Sequence, residues 1–137
     1  MDLQNLAYAL TQVAHNFGAV AVVGAPLFAR WPLRLQAAAR RPLAWLVLIG
    51  WAVQGLSGAG FGAISYVWYG AFPDIHGIAV AALLLKMACA ATGFVLAGLL
   101  LLRALRWPAP RHEAVWGVLL LLGVTALTAA AFLRWFS

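Results

Sequence analysis

Four apolar stretches, each at least twenty residues long, alternate with short polar segments along this chain. They run over residues 6–29, 43–69, 77–102 and 114–133. About 20 apolar residues, each rising about 1.5 Å along a helix, cross the ~30 Å hydrocarbon core of a bilayer. Each stretch therefore predicts a transmembrane helix, and the short connections favour antiparallel neighbours. The pattern predicts an all-α integral membrane four-helix bundle of up-down-up-down topology, which forms a single domain over residues 1–137.

The composition fits a protein embedded in lipid. Of the 137 residues, 66% are hydrophobic and 9% are charged, which is less charge than a soluble surface carries. The net charge of +6 comes mainly from arginines beside the apolar stretches, so it indicates membrane topology and no nucleic-acid partner. Cys89 is the single cysteine, which excludes an intrachain disulfide and favours a packing role. The first stretch is too long for a signal peptide and lacks a basic segment before it, so we expect it to be retained.

The arginines predict the orientation of the bundle. Two of the three connections are rich in them, at Arg30, Arg34, Arg40, Arg41, Arg103, Arg106 and Arg111. The connection between the second and third stretches carries only one formal charge, at Asp74. Because cytoplasmic loops are enriched in Lys and Arg, we expect both termini outside (N-out, C-out) and Trp116 at the cytoplasmic interface. The expected location is a bacterial inner membrane, with a short interfacial helix over residues 33–39.

A polar face interrupts the first apolar stretch. Asn5, Tyr8, Gln12 and His15 recur at the spacing of one helix face, with Asn16 beside them. Lipid cannot satisfy the hydrogen-bonding groups of such a face. We therefore expect the whole face to turn into the bundle.

Three polar side chains from three stretches share one predicted depth. Counted from the arginines that end each stretch, His15 lies about 22 Å, Lys86 about 25 Å and Gln54 about 20 Å from the cytoplasmic boundary at helical rise. A lysine within a transmembrane segment is costly and by default marks a function. The counting predicts that these residues meet in the outer half of the bundle.

Each of these residues also has a structural interpretation. His15 and Gln54 are open to two interpretations, hydrogen bonds between helices or contacts to a ligand. Lys86 either snorkels outward or pairs with an anion from a ligand, a lipid or a partner, because no stretch supplies an Asp or Glu in its interior. Gly58 and Gly62 form a small-xxx-small pair, which allows close helix packing or leaves room for a planar cofactor such as a porphyrin.

The two remaining histidines lie outside this level. His76 is expected in the outer interface, where it is an interfacial residue or, if the third helix starts deeper, a second metal ligand. His112 is expected to be a solvated residue at the cytoplasmic end.

Two segments resemble the HemJ and CopD type of small four-helix membrane proteins. The segment from His15 to Phe28 resembles their first-helix pattern, in which a histidine precedes an aliphatic run, a glycine and an aromatic residue. The segment from Ala82 to Ala90 resembles their third-helix pattern, with Lys86 after several aliphatic residues. The resemblance implies b-type haem at His15, a functional role for Lys86 and, for the HemJ type, oxidation of protoporphyrinogen IX to protoporphyrin IX. For the CopD type it implies copper uptake or b-haem binding.

The leading hypothesis is an integral membrane redox protein that binds b-type haem or a porphyrin, such as a cytochrome b-like electron-transfer component. His15 is expected to be the axial ligand, while Gln12 or Tyr8 orients its other ring nitrogen. Lys86 is expected to bind a propionate, and Gly58 to leave room for the macrocycle. If the chain is an enzyme, this hypothesis makes it a haem-dependent oxidoreductase of the protoporphyrinogen-oxidase type.

Two other functions fit the same pattern. The chain has little extramembrane surface, which suits a non-enzymatic accessory subunit of a larger respiratory or photosynthetic complex, or a homo-oligomer. The shared level of His15, Gln54 and Lys86 also suits a quinone-binding site. The sequence leaves these alternatives open.

Overall fold

Four long helices make up the fold in the computed structural model of the chain, which describes residues 2–31 and 39–136. The helices are α1 (Leu3–Arg30), α2 (Arg41–Tyr69), α3 (Ile78–Arg103) and α4 (Ala109–Trp135). Each is long and apolar enough to cross a membrane. The four predicted helices are therefore confirmed. The interfacial helix predicted over residues 33–39 lies outside the described residues except for position 39, which is in a turn.

Local sequence signals fix several helix ends. The Asp2 side chain accepts a hydrogen bond from the Gln4 amide and caps the start of α1. A proline in the first turn, where an amide hydrogen has no helical partner, opens both α2 and α4. Gly70 ends α2 with a left-handed φ of 69°, which glycine adopts at no steric cost. The proline start also explains why α4 begins at Ala109, five residues before the predicted boundary.

The helices pack in a ring in which each one contacts the next. α1 packs against α2 and α4, and α3 packs against the same two helices, so α1 and α3 lie diagonally across the bundle. Gly18 of α1 meets Gly50 of α2, and Gln4 reaches Tyr69 at the other end of the same pair. This pairing is antiparallel, as predicted for helices joined by short connections.

The bundle is tightly packed at one end, called here the arginine end because Arg30, Arg40 and Arg103 lie there. All buried residues of α1 fall between Gly18 and Ala29. A methyl group added at Gly123 of α4 would lie 2.8 Å from the Val22 carbonyl oxygen. These contacts close the bundle below the level of His15.

Towards the opposite end α1 is less buried, with half-buried and exposed residues but none that is fully buried. The other helices still bury residues there, among them Ser65, Ala79 and Ala129. The polar residues at the predicted level therefore lie where the buried part of α1 ends.

Candidate functional site

His15 and Lys86 are in direct contact across the bundle. The Lys86 Nζ atom lies 2.9 Å from Nε2 of His15, and both side chains are half-buried. Lys86 shares a helix face with the buried residues Ala82, Cys89 and Gly93 of α3. The lysine thus turns inward in this structure, and the counting of helical rise placed the two groups at the correct level. This contact is the centre of the candidate site.

Ser57 of α2 holds the other side of the imidazole. Its Oγ lies 2.6 Å from His15 Nδ1 and donates to the Val53 carbonyl oxygen, one turn earlier in α2. With the hydroxyl hydrogen placed on the Val53 carbonyl, Nδ1 carries the hydrogen that it shares with Oγ. The hydrogen-bond network therefore assigns an unprotonated Nε2 that accepts from Lys86.

Gln54 fixes the backbone beneath the imidazole. Its Nε2 donates to the His15 carbonyl oxygen at 2.5 Å, and the residue is only 6% exposed. Gly18 leaves room for this amide, since an added methyl group would lie 2.9 Å from Gln54 Nε2. His15, Gln54 and Lys86 thus meet as expected. Lys86 contacts the His15 side chain, and Gln54 contacts the His15 backbone carbonyl.

Lys86 has no carboxylate partner among the described residues. The chain has three acidic residues. Asp2 caps α1, Asp74 pairs with His76 at 3.3 Å, and Glu113 pairs with Arg40. A lysine inside a membrane segment is costly unless it is paired. The site therefore has a donor that is available to an acceptor brought by a guest.

Ser57 contacts the ring nitrogen that Gln12 or Tyr8 was expected to orient, and Gln12 does not contact the imidazole in this structure. Its amide donates to Asn16 Oδ1 at 2.7 Å, and both residues are exposed. Tyr8 stacks on Phe61 of α2, with ring centroids 6.3 Å apart. The predicted polar face of α1 therefore splits into two stripes. The stripe with His15 faces α2, and the other lies on the surface.

His76 and Gly58 occupy different surroundings. His76 lies in the connection between α2 and α3 with its side chain 81% exposed, beside Asp74. This agrees with the interfacial interpretation and places His76 outside the contacts of His15. Among the described residues, no group of three or more His, Cys, Asp or Glu side chains is arranged to hold a metal ion. Gly58 is exposed on α2, and no described atom lies within 4 Å of a methyl group added there.

The arginine end carries a second polar cluster that the sequence did not predict. His112 was expected to be solvated, but it is 5% exposed in the first turn of α4. Its Nδ1 lies 3.4 Å from Arg40 Nη1, and the same nitrogen of Arg40 pairs with Glu113. Arg30 donates to the Glu113 carbonyl oxygen at 3.1 Å. Trp116, expected at the lipid interface, is fully buried. This cluster ties the start of α2 and the end of α1 to α4.

Ser57 is the functional candidate that the sequence reasoning missed. It lies three residues after Gln54 on the same face of α2, between Gly55 and Gly58. That spacing was a usable signal, because a hydroxyl one turn from a polar interior residue reaches the same neighbouring helix. The small residues around it drew attention to helix packing instead.

The chain was compared with known protein families, curated protein sequences and solved structures, and it matches none of them.

Proposed function

We propose that the chain is a multi-pass membrane protein, with both termini outside, that binds b-type haem through His15. The observation that carries the proposal is the Ser57 contact at Nδ1, which orients the imidazole with Nε2 directed towards Lys86 across the bundle. Metal-binding histidines commonly use their second nitrogen in this way, because the bond orients the ring and raises its basicity. The arginine-rich connections support the orientation.

His15 and Lys86 are the residues that would hold the haem group, once Lys86 releases Nε2. The lysine now occupies the lone pair that an iron atom requires. Its four-carbon stem allows the ammonium to move while its α-carbon stays in α3. The released ammonium would then be available to a haem propionate. The propionate would be the anionic partner that no described residue provides for Lys86.

Two features near the pair support a bulky guest. Beyond His15, on the side away from the arginine end, α1 has no fully buried residue, and no described atom lies within 4 Å of a methyl group added at the exposed Gly58. Phe61 lies edge-on to the imidazole with ring centroids 5.7 Å apart, so one wall of the site is apolar. The tightly packed arginine end forms the floor.

A bound haem would supply one-electron chemistry at its iron, and residues of this chain would set its redox potential. Ser57 sets the basicity of the His15 ring through Nδ1. A positive charge on Lys86 near the site favours the more negatively charged, reduced form of a guest. These two residues are therefore positioned to tune a redox potential.

The test is a visible absorption spectrum of protein purified after expression with supplied haem. The wild type is expected to show a Soret band, and His15→Ala is expected to lose it. His76→Ala and His112→Ala are matched controls, since one histidine is exposed and the other lies at the arginine end. A wild type without a Soret band, or a band unchanged in His15→Ala, refutes the proposal.

Ser57 gives a second, graded test. Ser57→Ala is expected to weaken haem binding by roughly 10- to 100-fold, the usual effect of removing a hydrogen-bond partner behind a ligand. Ser65→Ala serves as the control, because Ser65 bonds to the Ala71 carbonyl oxygen near the end of α2. Equal loss in both variants would indicate general damage to α2.

A quinone is the second candidate guest, and the Lys86–His15 contact favours it. An ammonium has three donor hydrogens, and the one described acceptor for Lys86 is His15 Nε2. A quinone carbonyl oxygen accepts such a hydrogen bond without displacing the lysine. Titration of a short-chain quinone, followed by fluorescence quenching, tests this reading. Unchanged affinity in Lys86→Met dismisses it.

A further inference from the structure

An exposed row of residues runs along α1, away from the His15 site. Gln12, Asn16, Val20 and Gly24 follow one another at intervals of four residues. Such an i, i+4 row forms a single ridge on the helix surface. Gln12 and Asn16 are exposed, Val20 is 69% exposed, and a methyl group added at Gly24 would meet no described atom within 4 Å. We call these four residues the α1 row.

By counting along the helix, Asn16 lies within the apolar core and Gln12 lies near its outer boundary. Asn16 is 14 residues before Arg30, about 21 Å along the helix, and Gln12 is one turn further, at about 27 Å. The hydrocarbon layer is ~30 Å thick. Unsatisfied amide groups at such depths are costly because lipid tails offer no hydrogen bonds. The α1 row therefore requires a partner with polar groups.

The hydrogen bond inside the row determines which groups remain. Gln12 donates to Asn16 Oδ1. This leaves the Gln12 side-chain oxygen as an acceptor and the Asn16 side-chain nitrogen as a donor, both without a partner among the described residues. One donor and one acceptor on the same ridge are complementary to a second copy of that ridge. Each Asn16 can donate to the Gln12 of the other copy, which gives two equivalent bonds.

We propose that a second copy of this chain docks on the α1 row to form a two-fold symmetric dimer. Both copies have the same orientation in the membrane, so their α1 helices cross in parallel. Gly24 permits close approach of the two helix backbones, in the manner of small residues at membrane helix contacts. Val20 packs between this contact and the amide pair. The interface is independent of any guest at His15.

The first experiment measures association in lipid vesicles by energy transfer between donor- and acceptor-labelled copies. The transfer is expected to fall as the protein-to-lipid ratio is lowered. Gln12→Leu combined with Asn16→Leu is expected to raise the dissociation constant about tenfold, the effect of losing two interhelical hydrogen bonds in a membrane. Leucine is at home in lipid, and circular dichroism checks that the variant keeps its helices.

The second experiment locates the interface by disulfide cross-linking. Cys89→Ala removes the single native cysteine, and Val20→Cys then places a thiol on the α1 row. Leu121→Cys on α4 is the control, because Leu121 is 64% exposed at a similar distance from the arginine end. Efficient cross-linking at position 20 and not at position 121 supports the dimer. A monomer at all ratios, association unchanged in the double leucine variant, or equal cross-linking at both positions overturns it.

Discussion

The contact between Gly93 and Trp51 makes the sharpest prediction about stability. Trp51 of α2 is 2% exposed, and its indole lies directly against the Gly93 backbone of α3. A methyl group added at Gly93 would overlap the indole, with Cε2 and Nε1 nearest and Cζ2 at 2.8 Å. The ring is rigid and buried, so it cannot swing aside as a flexible side chain would. Gly93→Ala must therefore move α3 away from α2 or displace the indole.

The same helix offers a matched control. Gly98 lies five residues further along α3, and a methyl group there would meet no described atom within 4 Å. Gly98→Ala is expected either to leave the free energy of unfolding unchanged or to raise it by up to about 1 kcal/mol, because alanine has the higher helix propensity. Gly93→Ala gains the same propensity but suffers overpacking of about 1–3 kcal/mol. Because the overlap is severe, we expect the upper part of that range and a gap between the two variants of about 3 kcal/mol.

The native cysteine provides the assay. Cys89 lies one turn before Gly93 and is 4% exposed, so its thiol reacts with a maleimide dye only when the bundle opens. Thermal unfolding in mild detergent, followed by dye fluorescence, compares the wild type with both alanine variants. Trp51→Phe should partly rescue Gly93→Ala, since the smaller ring removes the overlapping atoms, and the double-mutant cycle measures the coupling. Equal midpoints for Gly93→Ala and Gly98→Ala would refute the packing argument.

Further predictions concern the arginine end and the α1–α4 contact. Glu113→Gln is expected to destabilise the fold by about 1–3 kcal/mol, because Arg40 stays buried with a weaker partner. The same thermal assay should show no change for Asp74→Asn, whose exposed pairing with histidine contributes little. Gly123→Ala is expected to lower the midpoint by pushing on the Val22 carbonyl, and a midpoint at or above that of the wild type would contradict the close contact.

Hydropathy alone predicted the helices because a bilayer constrains length so strongly. Each predicted span matches an observed helix, and the main change in the boundaries is at the start of α4. Counting helical rise also placed His15, Gln54 and Lys86 at one level, because each helical residue adds the same rise and sequence distance therefore converts into depth. The depth of a residue along the bundle axis can thus be obtained largely from its position in the sequence.

Facing direction is harder to predict, as α1 shows. Two neighbouring stripes make up one broad polar face of α1. The first stripe contains Tyr8, Thr11 and His15, and the second contains Gln12 and Asn16. The structure covers the first stripe with α2 and leaves the second exposed. The sequence predicted one inward face because a helical wheel does not show how wide a strip the neighbour covers. That width depends on where α2 and α4 cross α1.

The cluster at the arginine end was missed for a related reason. The basic connections were interpreted as topology signals, which account for charge and not for contacts. Arg40 becomes buried because the early start of α4 places Glu113 and His112 in a helical turn facing it. A proline start that differs by one turn decides whether these side chains are solvated or paired. Such dependence on a helix boundary lies beyond pattern reading.

The two polar centres differ in the group that pairs with the cation. At the arginine end a cation meets a carboxylate, and the surrounding side chains are closely packed. At the His15 level the cation meets a second base, and α1 has no fully buried residue beyond it on the side away from the arginine end. Two bases in contact carry at most one positive charge between them, since two positive charges would repel each other at this distance. The pair therefore keeps either a positive charge without an anion or a neutral amine without an acid. An anionic guest would provide the missing partner for the positive charge. A metal that binds the imidazole would take Nε2 in place of Lys86. Haem brings both groups in one molecule, and this double match is why we rank it above a quinone.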